Sequence, residues 1–202
     1  MASSYPIPAA EAAVELRFKN SRFIGATAAA ATVEEARAFI ARRRRDYPDA
    51  GHHVYAFAVG YGDSVMHGRS DDGEPAGTAG RPLLAVVQGA DLGDVVVVIT
   101  RYFGGTKLGT GGLVKAYTET AQAVLAQVPR QLKVEMVGGR LVLPYGVYKS
   151  CRMLIEAVDG EIEEEKFAGA VDLRFRVRVE RLEELRQAVR EATAGRVSLE
   201  SA

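Results

Sequence analysis

The segment Asp94–Ala116 constrains the fold of this chain more than any other, and its sequence is DVVVVITRYFGGTKLGTGGLVKA. It opens with an apolar, β-branched run typical of a buried strand, Val95–Ile99, turns through Gly104 and Gly105, and enters a helical pattern near Gly109. A strand, a glycine loop and a helix N-terminus in that order present backbone N–H groups to an anion. The segment therefore predicts a surface that binds an anion or a phosphate, and it specifies neither the anion nor a reaction.

Positive charge and a second glycine motif extend this predicted surface. Arg101 and Lys107 lie in the loop and would add cations beside the N–H groups. A further helix is predicted to begin near Thr78 or Gly80, and its N-terminus could complete the pocket from the other side. The residues predicted to bind an anion or RNA are therefore Arg101, Gly104, Gly105, Lys107, Gly109, Gly111, Gly112, Gly77, Thr78 and Gly80.

A polar loop between these segments carries a possible acidic site formed by Asp71, Asp72 and Glu74. Its spacing, and that of the nearby histidines, matches no metal motif, so a loop ordered by neighbouring arginines is the favoured interpretation. A structural alternative to the anion site also stays open, in which Arg101 pairs with Asp71 or Asp72. The glycine segment matches neither a P-loop nor a dinucleotide motif. We therefore predict no catalytic residue, no metal ligand and no cofactor.

Composition excludes several classes of protein. Lysine plus arginine and aspartate plus glutamate both number 26, so no global charge favours nucleic acid or a membrane. The single cysteine, Cys151, excludes an internal disulfide framework and is predicted to be a small core residue. No membrane-spanning run or secretory signal is visible, so we expect a cytoplasmic protein without a membrane partner. The basic run Arg42–Arg45 fits a solvated helix end, with a nucleic-acid contact as the alternative.

Local patterns in the first part of the chain predict a leader, a hairpin and a helix. Residues 1 to about 12 are predicted to form a loose leader. Alternation over Val14–Lys19 and a second run over Arg22–Ala30 predict two paired strands. Thr32 and Glu35 form a capping box, which predicts a helix that begins after the threonine.

The remainder predicts a second domain with the element order βαββαβ, which is the ferredoxin-like pattern. Its first extended segment, Leu132–Leu143, is expected to bulge or bend at Gly138–Gly139, and its last strand is expected at Arg196–Leu199. The predicted fold class is thus α+β in two domains, residues 1–130 and residues 131–202.

Alternation also places Arg174, Arg176 and Arg178 together on one face of a strand in the second domain. Such a row could hold RNA phosphates. Because the preceding strand is rich in glutamate, pairing between the two strands is the favoured interpretation.

Three stretches together resemble the YigZ/Impact family. They are Ser21–Ile24 (SRFI), Ser70–Gly80 (SDDGEPAGTAG) and Arg101–Leu113 (RYFGGTKLGTGGL). The resemblance covers about residues 12 to 128. The remainder resembles the ferredoxin-like domain of bacterial members, which is similar to domain V of elongation factor G.

The resemblance implies an N-terminal α/β sandwich, with helices on one sheet face, similar to domain IV of elongation factor G and to the second domain of ribosomal protein S-five. It also implies a link to translation and RNA. Eukaryotic Impact proteins modulate a kinase that represses translation initiation through an additional N-terminal domain, and we do not expect that role here. No catalytic residue follows from the resemblance.

Two functions from different classes follow as hypotheses. The leading one is a non-enzymatic protein that binds RNA, the ribosome or a phosphate-containing ligand and is linked to translation regulation. The alternative is an enzyme that acts on a phosphorylated small molecule or nucleotide, using Asp72 or Glu74 with Arg101. A protein-interaction domain is a third possibility, and the sequence does not indicate an oligomeric state.

Overall fold

The structure is a computed structural model that describes residues 4–62 and 65–201 of the chain. The chain divides into two compact units, Ser4–Lys133 and a second unit that begins at Val134. Each unit has a core of its own. We refer to them as the N-terminal and C-terminal domains.

The N-terminal domain is built on a five-stranded antiparallel sheet. The strands of the whole domain are β1 (Ser4–Pro8), β2 (Ala12–Phe18), β3 (Ser21–Ala29), β4 (His52–Val59), β5 (Met66–Ser70), β6 (Val95–Tyr102) and β7 (Arg130–Val134). The sheet has the order β2-β3-β6-β4-β5, so the apolar β6 lies at its centre, and every neighbouring pair is antiparallel. Strands β1 and β7 form a separate two-stranded sheet.

Helices cover both faces of the central sheet. They are α1 (Val33–Asp46), α2 (Gly80–Gln88) and α3 (Gly109–Gln127). Along β6, Val95, Val97 and Ile99 are buried in the cluster that includes α2 and α3, whereas Val96 and Val98 are buried in the cluster that includes α1. The expectation of helices on one sheet face is therefore wrong. Because β6 is apolar on both sides, it needs cover on both sides.

The capping box at the start of α1 is confirmed. The backbone N–H of Glu35 donates to Thr32 Oγ1 at 3.1 Å, and the N–H of Ala31 donates to Glu35 Oε2 at 2.7 Å. These bonds satisfy donors that a helix N-terminus leaves without intrahelical acceptors.

The predicted loose leader contains strand β1, so that expectation is wrong for residues 4–8. Tyr5 is buried, and its hydroxyl donates to Asp94 Oδ2 at 3.0 Å. The partner strand β7 lies at the far end of the domain sequence, so a local pattern could not reveal the pairing. Residues 1–3 of the predicted leader lie outside the described residues.

The predicted polar loop before Pro75 contains strand β5, which pairs with β4. This strand lies at the edge of the sheet, and its residues Met66, His67 and Arg69 are exposed. Because an edge strand with exposed polar side chains lacks the usual apolar alternation, the composition resembled a loop. Residues 63 and 64, also predicted within or beside the loop, lie outside the described residues.

The C-terminal domain has the predicted ferredoxin-like order. Its elements are β8 (Met136–Leu143), α4 (Tyr145–Ala157), β9 (Glu161–Phe167), β10 (Val171–Arg178), a short 3-10 turn (Val179–Arg181), α5 (Leu182–Ala192) and β11 (Glu200–Ser201). The antiparallel sheet has the order β11-β8-β10-β9. Cys151 is fully buried in its core, as predicted, and this burial raises the pKa of the thiol.

Two local expectations in this domain are wrong. Gly138 and Gly139 pair in continuous register with β10 and do not form a bulge. Glycine is required at position 139 because a Cβ there would lie 2.4 Å from the Phe175 ring. The last strand is Glu200–Ser201 and not residues 196–199. Val197 and Leu199 are buried outside regular structure, and their spacing imitates strand alternation.

Candidate functional site

Both glycine-rich motifs lie at one edge of the N-terminal sheet. In the strand register, Arg101 near the end of β6 is opposite His52 at the start of β4 and Phe23 near the start of β3. Because α2 follows β5 and α3 follows β6, both helices begin at this same edge and run back across one sheet face. We define the glycine edge as loops 71–79 and 103–108 with the first turns of α2 and α3.

A cavity of about 350 Å³ lies at the glycine edge. Residues of both motifs line this cavity. The fold therefore brings together two segments that lie about 30 residues apart in sequence, a separation that ordinary loops and helices can span. The lining residues are Glu74, Pro75, Arg101, Phe103, Lys107, Leu108, Gly109, Thr110 and Leu113.

The N-terminus of α2 is already occupied by a carboxylate of the protein. Asp71 accepts hydrogen bonds from the N–H groups of Gly77, Ala79 and Gly80 at 2.9, 3.0 and 2.7 Å. The N–H of Thr78 donates to the carbonyl of Pro75. Burial raises the pKa of Asp71, but the three N–H donors outweigh burial and hold that pKa below its usual value. The N–H groups of Gly77, Thr78 and Gly80, which the sequence predicts to bind an anion, therefore have acceptors within the protein.

Arg101 is buried in an internal ion pair with Glu74. Its Nη1 donates to Glu74 Oε1 at 2.6 Å, and the side chains are only 6% and 3% exposed. The hydroxyl of Tyr117 donates to the same oxygen at 2.7 Å. Burial raises the pKa of Tyr117, and the hydrogen bond to Glu74 adds to that shift. The carboxylate partner of Arg101 is thus Glu74 and not Asp71 or Asp72.

The remaining acidic residue of the loop also has internal partners. Asp72 Oδ1 accepts from Arg44 Nη2 at 2.6 Å, and Asp72 Oδ2 accepts from the N–H of His53 at 2.6 Å. Asp71, Asp72 and Glu74 thus each order a different part of the edge. Asp71 caps α2, Asp72 joins α1 to β4, and Glu74 neutralises the buried arginine.

Among the residues that the structure describes, no side chain caps the N-terminus of α3, whereas Asp71 accepts from the N–H groups at the start of α2. Gly109, Thr110 and Gly111 are exposed, and a Cβ at Gly109 or Gly111 would meet no atom within 4 Å. The first turn of α3 holds no acidic residue. This is the end of a helix at which an external anion would be stabilised by the helix dipole.

Lys107 stands beside this open helix end. Its side chain is exposed and has no carboxylate partner among residues 4–62 and 65–201. Lys19 lies next to it, because its ammonium donates to the Lys107 carbonyl at 3.1 Å. Two lysines therefore flank the uncapped α3 N-terminus. Lys19 was not among the predicted site residues, since it belongs to a distant hairpin turn.

Gly104 and Gly105 have a structural role in this loop. A Cβ at Gly104 would lie 2.0 Å from the Asn20 backbone, so only glycine permits the loop to pack on the β2–β3 turn. The N–H of Gly104 donates to Ser21 Oγ at 3.2 Å. Gly105 has φ of +81°, which a residue with a side chain rarely adopts.

Phe103 is an exposed aromatic residue in the wall of the cavity. It is 56% exposed, and the Arg101 guanidinium lies 5.7 Å from its ring centroid. The sequence-based prediction missed Phe103, although an aromatic residue between two cations is typical of surfaces that stack nucleic-acid bases.

Two other basic segments are largely paired within the protein. Within the run Arg42–Arg45, Arg43 pairs with Asp46 at 3.0 Å and Arg44 with Asp72 at 2.6 Å, which favours the helix-end interpretation. In the C-terminal domain, Arg174 and Arg176 approach Glu164 and Glu163 at 3.7 Å, and Arg178 approaches Glu180 at 4.0 Å. This favours pairing of the arginine row with neighbouring glutamates.

Two further observations concern the described part of the chain. Within residues 4–62 and 65–201, no group of three or more histidine, cysteine, aspartate and glutamate side chains is placed to hold a metal ion. None of the helices described in these ranges combines the length and the apolar character needed to cross a membrane.

The fold and the glycine edge define a mixed α/β protein of two domains, and comparison with known proteins gives its family. Residues 19–125 match the Impact N-terminal domain, and residues 141–196 match a domain of unknown function (DUF1949). The chain belongs to the IMPACT family.

Relatives align over most of the chain. An IMPACT family member of Haemophilus influenzae is 36% identical over 199 residues, which is 98% of this chain and 97% of that protein. The IMPACT family member YigZ of Escherichia coli is 42% identical over 172 residues, 85% of this chain and 84% of that protein. A solved structure described as a hypothetical protein is similar with a TM-score of 0.76 and 37% identity, covering 100% of this chain and 98% of that chain.

Proposed function

We propose that this protein is a non-enzymatic module that binds single-stranded RNA, alone or on the ribosome, through the glycine edge. The observation that carries the proposal is the convergence of the exposed Phe103, the unpaired Lys107 and the uncapped α3 N-terminus around one cavity. The link of the YigZ/Impact family to translation, implied by the resemblance, supports RNA as the ligand. We expect the protein to act in the cytoplasm.

Each part of the edge suits one part of a nucleotide. An aromatic ring can stack a base of any sequence, and such stacking contributes about 1–3 kcal/mol per base. The open N–H groups at the start of α3 suit a phosphate, and the two lysines add positive charge beside it. The modest number of cations predicts weak binding, and its affinity should fall with salt in proportion to the number of phosphates neutralised.

The enzymatic alternative has less support. It requires Asp72 or Glu74 as a reactive carboxylate together with Arg101. Glu74 accepts hydrogen bonds from Arg101 and Tyr117 on the same oxygen, and Asp72 is held by Arg44 and a backbone N–H. Groups committed to such contacts stabilise the fold and are poorly placed to exchange protons with a substrate.

The test measures binding of a fluorescent single-stranded RNA of about 12 nucleotides, within the range of known single-strand sites, by anisotropy. We compare Lys107→Ala and Phe103→Ala with Lys149→Ala, an exposed lysine of the C-terminal domain. Lys107→Ala should weaken binding and lower the salt slope by about one unit, whereas Lys149→Ala should leave both unchanged. Phe103→Ala should weaken binding without changing the slope, because stacking releases no counterions.

Ribosome co-sedimentation at about 50 and about 200 mM salt extends the test to the assembled particle. Association that falls steeply with salt and is reduced by Lys107→Ala supports the proposal. Absence of binding to both RNA and ribosomes at low salt, or equal binding by wild type and the two edge variants, removes it.

A further inference from the structure

A second concave surface lies on the solvent side of α2 and α3 and is separate from the glycine-edge cavity. It is a groove of about 820 Å³, and we call it the α2–α3 groove. Its lining residues are Gly77, Arg81, Pro82, Ala85, Val86, Gly89, Ala90, Val114, Thr118, Gln122, Leu125, Ala126 and Arg130.

The α2 side of the groove is unusual for a surface helix. The inner face of α2 buries Leu83, Leu84 and Val87 in the core. The outer face of an amphipathic helix is normally polar, yet here only Arg81 and Gln88 are polar, Ala85 is exposed, and the half-buried Val86 packs partly against the core. The part of α2 that lines the groove is therefore apolar apart from Arg81.

The α3 side continues the apolar floor. Val114, which is 38% exposed, and Ala126 face the groove from α3. The small side chains of Ala85, Ala90 and Ala126 keep the groove open, so a bulky apolar side chain of another molecule could enter.

The charges around the groove have one sign. Arg81 lies at the beginning of α2, and Arg130 follows the end of α3. Both line the groove, no acidic residue does, and neither arginine forms an ion pair with a carboxylate of residues 4–62 and 65–201. Because α2 and α3 run in the same direction, Arg81 and Arg130 lie toward opposite ends of the groove.

We propose that the α2–α3 groove binds an amphipathic helix of a partner protein, with an apolar stripe and an acidic residue near each end. Helix-in-groove recognition uses apolar anchors at i, i+3 or i+4 and i+7, which matches the apolar floor. The nine residues of α2 span about 13 Å at 1.5 Å per residue, so the groove accommodates a helix of two to three turns. Carboxylates at its ends would pair with Arg81 and Arg130.

This surface shares Gly77 and Arg81 with the glycine edge, but its lining has no residue in common with that of the glycine-edge cavity. Phe103 and Lys107 line the glycine-edge cavity and not the groove, and Arg81 and Val114 line the groove and not that cavity. The protein could therefore hold RNA at the edge and a protein helix in the groove. Failure of either proposal leaves the other intact, since their variants do not overlap.

The experiment selects binders to the intact protein from a displayed library of short helical peptides. We expect the selected sequences to share apolar residues at helical spacing with aspartate or glutamate at both ends. Binding of a synthetic selected peptide is then measured by anisotropy for the wild type and two variants. Ala85→Glu places a carboxylate in the groove, and Ala38→Glu makes the same change at an exposed position of α1 as the matched control.

Ala85→Glu should weaken peptide binding by at least about tenfold, and Ala38→Glu should leave it unchanged. Arg81→Glu should weaken binding of the acidic peptide. It should improve binding of a peptide in which the acidic residue nearest to position 81 is replaced by lysine. Selected peptides without acidic ends, or binding insensitive to Ala85→Glu, would overturn the proposal. Two further results would overturn it. They are self-association of the wild type that Ala85→Glu abolishes, and association with phosphatidylglycerol vesicles that Ala85→Glu abolishes. In these cases a second copy or a lipid would occupy the groove.

Discussion

Replacing Glu74 by alanine is expected to destabilise the N-terminal domain severely. The substitution leaves the Arg101 guanidinium, with a side chain 6% exposed, without its carboxylate, and it also removes the acceptor of the Tyr117 hydroxyl. Removing one partner of a buried ion pair costs about 3–5 kcal/mol, because an uncompensated charge remains in the interior. Arg101 Nε lacks a hydrogen-bond partner among the described residues, and Nη2 donates only a long bond of 3.5 Å to Ser21 Oγ.

The matched control is Glu119→Ala on α3. Glu119 is a partly exposed glutamate whose side chain lies 3.7 Å from Lys115. Exposed pairs of this spacing contribute about 0.3–0.5 kcal/mol, so the control should unfold nearly as the wild type does. A double variant, Glu74→Leu with Arg101→Met, removes both charges and should recover much of the loss, because apolar replacement of a buried pair is often neutral.

Unfolding in urea is followed by hydrogen exchange and mass spectrometry, with the amides of β6 reporting on the N-terminal domain. This measure separates the two domains, whose transitions need not coincide. A Glu74→Ala protein within about 0.5 kcal/mol of the wild type would refute the structural role of the pair. A double variant no more stable than the single variant would show that the lost stability comes from packing and not from the unpaired charge.

Three further predictions concern other parts of the chain. The lowered pKa of Asp71 means that its ionised form stabilises the fold. This stability is present above the ordinary pKa of about 4 and is lost as pH falls through the lower folded value. Asp71→Asn should therefore be less stable at neutral pH and should lose less stability on acid titration. Replacing Arg174, Arg176 and Arg178 together by glutamine should change RNA affinity by less than about tenfold, and a larger loss by anisotropy would make that sheet a second contact surface. A chain that ends after β7 should stay folded by circular dichroism and gel filtration. A chain that ends at residue 130 should be less stable, because it loses the Lys133–Asp94 ion pair and the partner of β1. Equal melting temperatures of the two chains would contradict this prediction.

Local patterns predicted the elements whose signals lie within one stretch of chain. The capping box at Thr32, the apolar β6 and the βαββαβ order of the C-terminal domain follow from residue spacing alone. Strand β1 was not predictable, because it is stabilised by β7 and by Asp94, which lie far away in sequence. Strand β5 was missed because its exposed edge position leaves it polar.

The sequence indicated that the two glycine motifs could lie together, but not which side chains surround them. The glycine motifs marked two helix N-termini that lie at one edge, and both were expected to be open to an anion. Whether such an end is open depends on one side chain, since Asp71 closes α2 and no carboxylate in the described part of the chain closes α3. The sequence offered three acidic residues and one buried arginine, and spacing alone could not assign Glu74 to Arg101.

The central position of β6 has a consequence for how the chain folds during synthesis. Residues of β3 pair with residues of β6 that lie some 70 positions later in the sequence, and residues of β4 pair with residues of β6 some 45 positions later. Strands β3 and β4 do not pair with each other. The β2–β3 and β4–β5 hairpins can form early, but they cannot join into one sheet while β6 is still inside the ribosome. Until then, α1 lacks the part of its apolar packing that β6 supplies. Pairing across such separations is slow, because the loops must close before the contacts form. The C-terminal domain, whose strands and helices all come from one contiguous later segment, can fold without waiting for the N-terminal sheet.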